Sequence, residues 1–420
     1  MNRTALIIGA GQAGAEVATR LRQQGFSGRI VLIGAERHLP YARPPLSKAY
    51  LAGTVGIDDL SVKARAAYEK ADIELRLSTR VDAIKRDRRT VSLESGDVLH
   101  YDVLILALGG RPRPMKVPGH ELGSIFTLRN IEDVEAMRGR FKPGRRLVIV
   151  GGGYVGLEVA AVAIKSGLAV TVLEGADRVL ARVTAPEMSA FYERVHRGHG
   201  VEIHTGVTVT SFIASEADPG KVGAVAYGEG SAVAADFVIV GIGLLPNAEL
   251  AEEAGLVIDG GIVVDAAGRT TDPHIYAIGD CATHAEHGFL ERKLRLESVP
   301  NAIEQAHACA AAICEKPAPK AMPPWFWSDQ YHLKLQMVGL SAGYDSIVLR
   351  GTPESETFIA FYLSGETVIA ADAVNRIADF IAAKRMVADH MKISSTVLAD
   401  ETMSLKTVLA AGAAYGSRTG

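Results

Sequence analysis

Short apolar runs, each four residues or slightly longer, punctuate the first three quarters of the chain. Ala5-Leu-Ile-Ile8, Ile30-Val-Leu-Ile33, Leu147-Val-Ile-Val150 and Val170-Thr-Val-Leu173 are uninterrupted by polar side chains, bar one threonine. Runs of this kind read as strands covered on both faces, as in a parallel sheet. Alanine-rich stretches follow two of them and read as helices. The opening residues therefore run strand, glycine turn, helix, strand, which is a βαβ unit. Tyr101-Asp-Val-Leu-Ile-Leu-Ala-Leu-Gly-Gly110 is a further buried strand ending in a glycine turn, and Arg111-Pro-Arg-Pro114 leads away from it. From about residue 115 to 244 the pattern restarts and closes on Phe237-Val-Ile-Val-Gly-Ile-Gly243. Thr271-Asp-Pro-His-Ile-Tyr-Ala-Ile-Gly-Asp280 then reads as one more strand of the first unit. The second unit is thus inserted into the first.

After Lys316-Pro-Ala-Pro319 and Pro323-Pro324 the composition changes. Leu333-Lys-Leu-Gln-Met-Val338, Ser346-Ile-Val-Leu-Arg350, Thr357-Phe-Ile-Ala-Phe-Tyr362 and Thr367-Val-Ile-Ala370 read as short strands, and a helix is expected from about Ile377 to Met391. This is a small α+β module. The expected division is 1–112 and 245–324 for the first domain, 113–244 for the inserted one, and 325–420 for the last with its alanine- and glycine-rich tail.

Both glycine turns carry the dinucleotide fingerprint: Gly9-Ala-Gly11-Gln-Ala-Gly14 and Gly151-Gly-Gly153-Tyr-Val-Gly156. In each case the next strand ends in an acid, Glu36 and Glu174 respectively. A carboxylate there accepts hydrogen bonds from a free ribose diol and repels a 2′-phosphate, which favours NADH over NADPH at the second site. The alternative for either loop is a tight turn packed closely for its own sake. Asp280, at a strand's carboxyl end, suits a polyol chain, or caps the next helix. Lys48 follows paired prolines in Arg43-Pro-Pro-Leu-Ser-Lys48 and is read as opening a helix.

Length and composition add bounds. At 420 residues, with 48% hydrophobic and 22% charged, the chain is an ordinary globular protein of two or three domains. A net charge of −3 and the absence of basic runs give no reason to expect nucleic acid. No apolar stretch is long enough for a membrane span, and the first ten residues already read as a strand, so no cleavable signal is expected. Three cysteines cannot form a disulfide framework, which fits a reducing cytoplasm. Cys309 and Cys314 fall on one expected helix about 140° apart, which disfavours a redox bridge. Cys281, His284 and His287 are spaced like metal ligands but no fourth ligand is evident, so no metal is expected.

Several longer stretches are more specific than the glycine loops: Pro44-Pro-Leu-Ser-Lys-Ala-Tyr-Leu-Ala-Gly53, Gly151-Gly-Gly-Tyr-Val-Gly-Leu-Glu158, Arg182-Val-Thr-Ala-Pro186, Leu296-Glu-Ser-Val-Pro-Asn-Ala302 and Pro324-Trp-Phe-Trp-Ser-Asp-Gln330. In these the chain resembles, over nearly its whole length, the FAD-dependent, NADH-using ferredoxin reductases of bacterial oxygenase systems, of the putidaredoxin reductase type. The resemblance implies an α/β fold of two interleaved Rossmann-like, glutathione-reductase-type nucleotide-binding domains plus a C-terminal α+β interface domain. It implies that the Ala13 backbone meets the FAD pyrophosphate, Glu36 the adenosine ribose, Val81 the adenine, Arg129 the phosphates, Asp280 the ribityl chain and the Val299 amide the flavin pyrimidine. Arg43, Arg111 and Gly243 join the expected cofactor-binding set. Lys48, paired with Glu158, is expected near the flavin N5 edge, and Tyr154 over the nicotinamide pocket.

The implied activity is hydride transfer from NADH to FAD, then single-electron delivery to a separate [2Fe–2S] ferredoxin that serves a cytochrome P450 or a dioxygenase. Hydride transfer between two stacked rings needs positioning and no nucleophile. Trp327 is expected between flavin and partner, with packing as its alternative. Lys384 and Lys406 match docking lysines of the related reductase, and His307 stands at a docking arginine. The chain departs from the family at Leu108, where a threonine is usual, and at Ala35, the position before Glu36, where the reductase it most resembles carries its acid. Other readings are a related reductase with rubredoxin, a quinone-like molecule or oxygen as acceptor, or a redox-sensing flavoprotein.

Overall fold

The computed structural model describes residues 3–285 and 293–416. The backbone divides into two compact units. One comprises the chain up to Arg43 with Gly56–Arg111 and Leu244–Met322; the other comprises Pro44–Val55, Pro112–Gly243 and the chain from Pro323 onward.

The first unit is built on a five-stranded parallel sheet in the order Ile275–Ala277, Val103–Leu106, Thr4–Ile8, Arg29–Ile33, Ile73–Arg76. Its strands alternate between two cores, as a pleated strand must. Ala5, Ile7, Ile30, Leu32, Val103 and Ile105 face one core, with helices Gln12–Gln23 and Val299–Ile313. Leu6, Ile8, Val31, Ile33, Leu104 and Leu106 face the other. That second core is roofed in part by an antiparallel meander of Val81–Lys85, Thr90–Leu93 and Val98–His100. Ile8, Ile33 and Leu106 stand level in register, so the strands end together and their loops share one edge.

The second unit repeats this plan and adds another sheet. Its parallel sheet runs Glu202–His204, Ala169–Leu173, Arg146–Val150, Phe237–Val240, Ile125–Phe126. Val150, Leu173 and Val240 again stand level. Five antiparallel strands follow: Trp325–Gln330, Leu333–Gly339, Ser346–Thr352, Thr357–Ser364 and Thr367–Val374. Helix Ile377–Ala388 packs on this sheet, and helix Leu405–Gly416 continues into the alanine- and glycine-rich tail.

Two local expectations change. Pro44–Ser47 is a 3-10 turn and Lys48 does not open an α-helix. The Lys48 and Tyr50 amides both donate to the Pro45 carbonyl, and that of Thr54 to Ala49, so the hydrogen bonds slip between spacings of three and five residues. Residues 44–55 also group with the second unit, although the sequence places them in the first domain: the Tyr50 hydroxyl donates to Glu135 at 2.6 Å there.

Candidate functional site

In the first unit the chain turns from strand Thr4–Ile8 into helix Gln12–Gln23 through three glycines, two of which have no room for a side chain. Gly9 has φ +113°, and a Cβ there would lie 2.1 Å from the Ala107 carbonyl oxygen. A Cβ on Gly14 would lie 1.9 Å from the Gly9 oxygen, so this glycine lets the helix close against the turn. Gly11 differs. Its φ is −94°, and nothing stands within 4 Å of where its Cβ would be. The sequence reason for a glycine here is therefore space kept open above the loop. The helix it leads into has no side-chain cap and no acid in its first turn. Helix Ile131–Arg138, by contrast, is closed by an Asn130–Asp133 capping box. An uncapped start leaves amide donors and the positive end of the helix dipole for an anion. Open space and free amides together fit a pyrophosphate.

Around this cradle, Ala13 faces Gly279, where a Cβ would come within 3.2 Å of the Ala13 methyl. That contact sets Asp280 beside the loop. The Gly279 amide donates to Gln305 (2.6 Å) and Arg295 donates to the Asp280 carbonyl (3.0 Å), which fixes the segment. Glu36 accepts from the Tyr41 hydroxyl (2.5 Å) and from Arg43 (2.9 Å). A carboxylate has about four acceptor positions, so capacity for a ribose diol remains. Val81 begins the meander and pairs with Leu93. Val299 opens its helix. Ser298 accepts the Asn301 amide and Pro300 has none, which leaves the Val299 amide as the outward donor of that turn. Arg111 is held by Asn247 (2.9 Å) and Glu249 (2.5 Å).

The second unit carries the same device. Gly151 has φ +111° with a Cβ position 2.4 Å from the Gly241 oxygen, and that of Gly156 lies 2.1 Å from the Gly151 oxygen. Gly153 has open space, and helix Tyr154–Lys165 starts without cap or acid. Glu174 is half-buried and accepts the Gly152 amide (2.5 Å) and the Ala176 amide (2.7 Å). Its carboxylate is thus locked at the strand end by the loop it serves. Gly243, φ +113°, lies against the Arg182 guanidinium. Arg129 precedes the Asn130 cap, and its amide donates to Asp133.

Within the second unit Lys48 and Glu158 form an ion pair at 2.7 Å, with side chains 19% and 4% exposed. Glu158 also accepts from Ser47 (2.5 Å) and Ser328 (2.6 Å). A buried carboxylate needs such partners. The two serines escaped the sequence reading, although both lie in stretches singled out for other residues. Tyr154 packs on Phe326, ring centroids 5.0 Å apart, and its hydroxyl contacts the Met337 sulfur at 2.8 Å. Burial pushes that phenol well above its usual range. Trp327 is half-buried and sits in a row of rings, 5.6 Å from Trp325 and 6.2 Å from Phe326. Lys384 covers the Trp325 ring at 4.7 Å, and Lys406 is exposed. His307 bonds Glu16 at 2.9 Å in the first unit.

All three cysteines are free, Cys281 and Cys309 are buried, and burial pushes the Cys281 thiol up to about 11. Cys309 and Cys314 lie on and just past helix Val299–Ile313. His284 bonds Gln305 at 2.7 Å; His287 lies outside the described residues. Among the described residues, no helix is long and apolar enough to cross a membrane.

Comparison with known proteins agrees with this geometry. Residues 3–306 match the pyridine nucleotide-disulphide oxidoreductase family, and residues 325–409 match the reductase C-terminal domain. The chain is 48% identical to putidaredoxin reductase of Pseudomonas putida, covering 98% of both chains. It is 41% identical to rhodocoxin reductase of Rhodococcus erythropolis over 96% of this chain and 94% of that one. The crystal structure of the covalent putidaredoxin reductase–putidaredoxin complex superposes with a TM-score of 0.95 at 47% identity, covering 98% of this chain and 99% of that one. The chain belongs to the pyridine nucleotide-disulphide oxidoreductases, its cofactors are FAD and NAD(H), and it carries the reductase C-terminal domain.

Proposed function

We propose that this protein is an NADH-dependent flavoprotein reductase that delivers single electrons to a [2Fe–2S] ferredoxin serving a cytochrome P450 or another oxygenase. The observation that carries the reading is the pair of equivalent cradles, each with a middle glycine under open space, an uncapped helix start and a carboxylate at the next strand's end. FAD held by these residues would supply a two-electron hydride acceptor that can also donate single electrons. The chain's residues hold and orient. The first loop and Ala13 take the FAD pyrophosphate, Glu36 the ribose, Asp280 the ribityl chain, and the Val299 amide donates to the ring. The second loop and Glu174 take NADH. Lys48 supplies positive charge where reduction builds negative charge, and Glu158 keeps that ammonium in place.

Ferredoxin as partner is supported by the relatives, one of which is solved in complex with putidaredoxin. The docking face would centre on helix Ile377–Ala388, which exposes Ile377 (55%) and Ile381 (64%) one turn apart beside Lys384. An apolar centre with basic residues around it suits an acidic protein partner. The three free cysteines fit a cytoplasmic setting. Purified protein should be yellow, and NADH should reduce ferricyanide and a [2Fe–2S] ferredoxin through it. Trp327→Ala should slow ferredoxin reduction about tenfold and leave ferricyanide reduction within about twofold, the loss expected of one aromatic anchor. Equal losses with both acceptors would make Trp327 a packing residue.

A further inference from the structure

Beyond Glu158 the hydrogen bonds continue through the second unit as a single file. Ser328 donates to Glu158 Oε1 at 2.6 Å. Gln330 Nε2 lies 3.2 Å from Ser328 Oγ, and Gln330 Oε1 lies 2.8 Å from His196 Nε2. His196 Nδ1 lies 3.1 Å from the Tyr331 hydroxyl. Ser328 and His196 are 0% exposed and Gln330 is 1% exposed. Tyr331 closes the file, stacked on His199 with centroids 3.8 Å apart.

The direction of every bond in this file is dictated from one end. A carboxylate only accepts, so Ser328 spends its single proton on Glu158. Ser328 Oγ must then accept, so the NH2 face of Gln330 points to it. Gln330 Oε1 therefore faces His196, whose Nε2 must carry a proton. Burial holds the His196 ring down to about 4, so it is neutral with one proton only. Nδ1 is left to accept from Tyr331. Four consecutive donors thus point at one carboxylate.

We propose that His196, Gln330 and Ser328 are positioning residues that fix the Glu158 carboxylate against Lys48. This rests on the reading of Lys48–Glu158 as the pair that serves the flavin. Removing the His196 donor frees the Gln330 amide to rotate half a turn and offer its oxygen to Ser328. The serine would then donate to Gln330, and Glu158 would lose a bond three links from the substitution.

Two measurements test this, one of them independent of cofactor. In the full chain without FAD, labelled with 15N-histidine, His196 should be the Nε2–H tautomer, assigned by its loss in His196→Phe; the Nδ1–H tautomer would overturn the proposal. In the FAD-loaded protein, rapid mixing with saturating NADH reads the flavin reduction rate. Ser328→Ala should slow it by about tenfold or more, one hydrogen bond to a charged group. His196→Phe should slow it by about threefold to tenfold with the apparent NADH affinity unchanged, and His196→Gln, which keeps a donor at the Nε2 position, should restore it. Failure of His196→Gln to restore the rate, or full rates in all three variants, would overturn the proposal. Glu158→Gln separates the two levels. If it is slow while the file variants are fast, the file is wrong and the pair stands; if it is as fast as the parent, the reading of the pair itself fails.

Discussion

Glu174→Gln should collapse the preference for NADH over NADPH. Glu174 stands at the end of strand Ala169–Leu173 with both oxygens committed to loop amides, Gly152 and Ala176. Those bonds hold the carboxylate at the strand end, the position proposed here for the adenosine ribose of NADH. Two unit charges about 4 Å apart interact by about 4 kcal/mol at an effective dielectric constant near 20. Partial exposure and salt reduce this to roughly 2–3 kcal/mol, or roughly 30- to 150-fold in discrimination against a 2′-phosphate. Glutamine keeps the shape and removes the charge. Its NH2 group cannot accept, so one loop amide loses its partner. That loss weakens both coenzymes alike and cancels in their ratio. The assay is kcat/KM for NADH and NADPH with ferricyanide as acceptor at fixed ionic strength. A ratio unchanged while both rates fall would refute the reasoning and leave Glu174 as a brace for the glycine loop.

Gly11→Ala and Gly14→Ala should part company. Gly11 has open space, so its variant should melt like the parent when FAD-free yet purify with little FAD, whereas the Gly14 methyl meets the Gly9 oxygen and should cost about 1–3 kcal/mol of stability as well. Equal flavin content in Gly11→Ala and parent would remove the pyrophosphate from that loop. Lys48→Ala should slow flavin reduction by NADH roughly tenfold to a hundredfold by rapid mixing, and an unchanged rate would remove Lys48 from the reaction. Asp372 is buried beneath Thr184 and Tyr362, and burial raises its carboxyl to about 6 from 3.8 against the pull of those two hydroxyls. A group that binds its proton more tightly when folded stabilises below its unfolded pKa, and that stability is lost as pH rises to about 6. The loss is on the order of 3 kcal/mol. Denaturant melts of Asp372→Asn should lack this slope between pH 4 and 6, and a slope equal to the parent's would exclude Asp372 as its source.

The parallel sheets were legible in the sequence because their strands are uniformly apolar and bounded by glycine turns. Strands Arg29–Ile33 and Ala169–Leu173 begin one residue before the runs that predicted them. The glycine loops were legible for the same steric reason that the structure displays: the first and last glycine of each fingerprint have no room for a side chain. The meander Val81–Lys85, Thr90–Leu93, Val98–His100 was not, because its short strands mix charges with apolar residues and carry no clear period. Nor could the serine partners of Glu158 be read, since Ser47 and Ser328 lie more than 100 positions away in the chain on either side. In Trp325–Gln330 the aromatic residues drew attention, and the small polar ones between them hold the carboxylate. For His307 the resemblance implied a docking position, and local spacing gave no hint that it would bond Glu16, at the far end of the chain.

The last strand of the first sheet, Ile275–Ala277, pairs with Val103–Leu106 across roughly 170 intervening positions, most of them devoted to the inserted unit. During synthesis the ribosome therefore finishes the insert before its host. Until then Val103–Leu106 presents an unpartnered apolar edge, the kind that recruits other chains. Messages truncated upstream of residue 275 should yield insoluble product, whereas a fragment bearing the insert's own sheet has every one of its strands in hand.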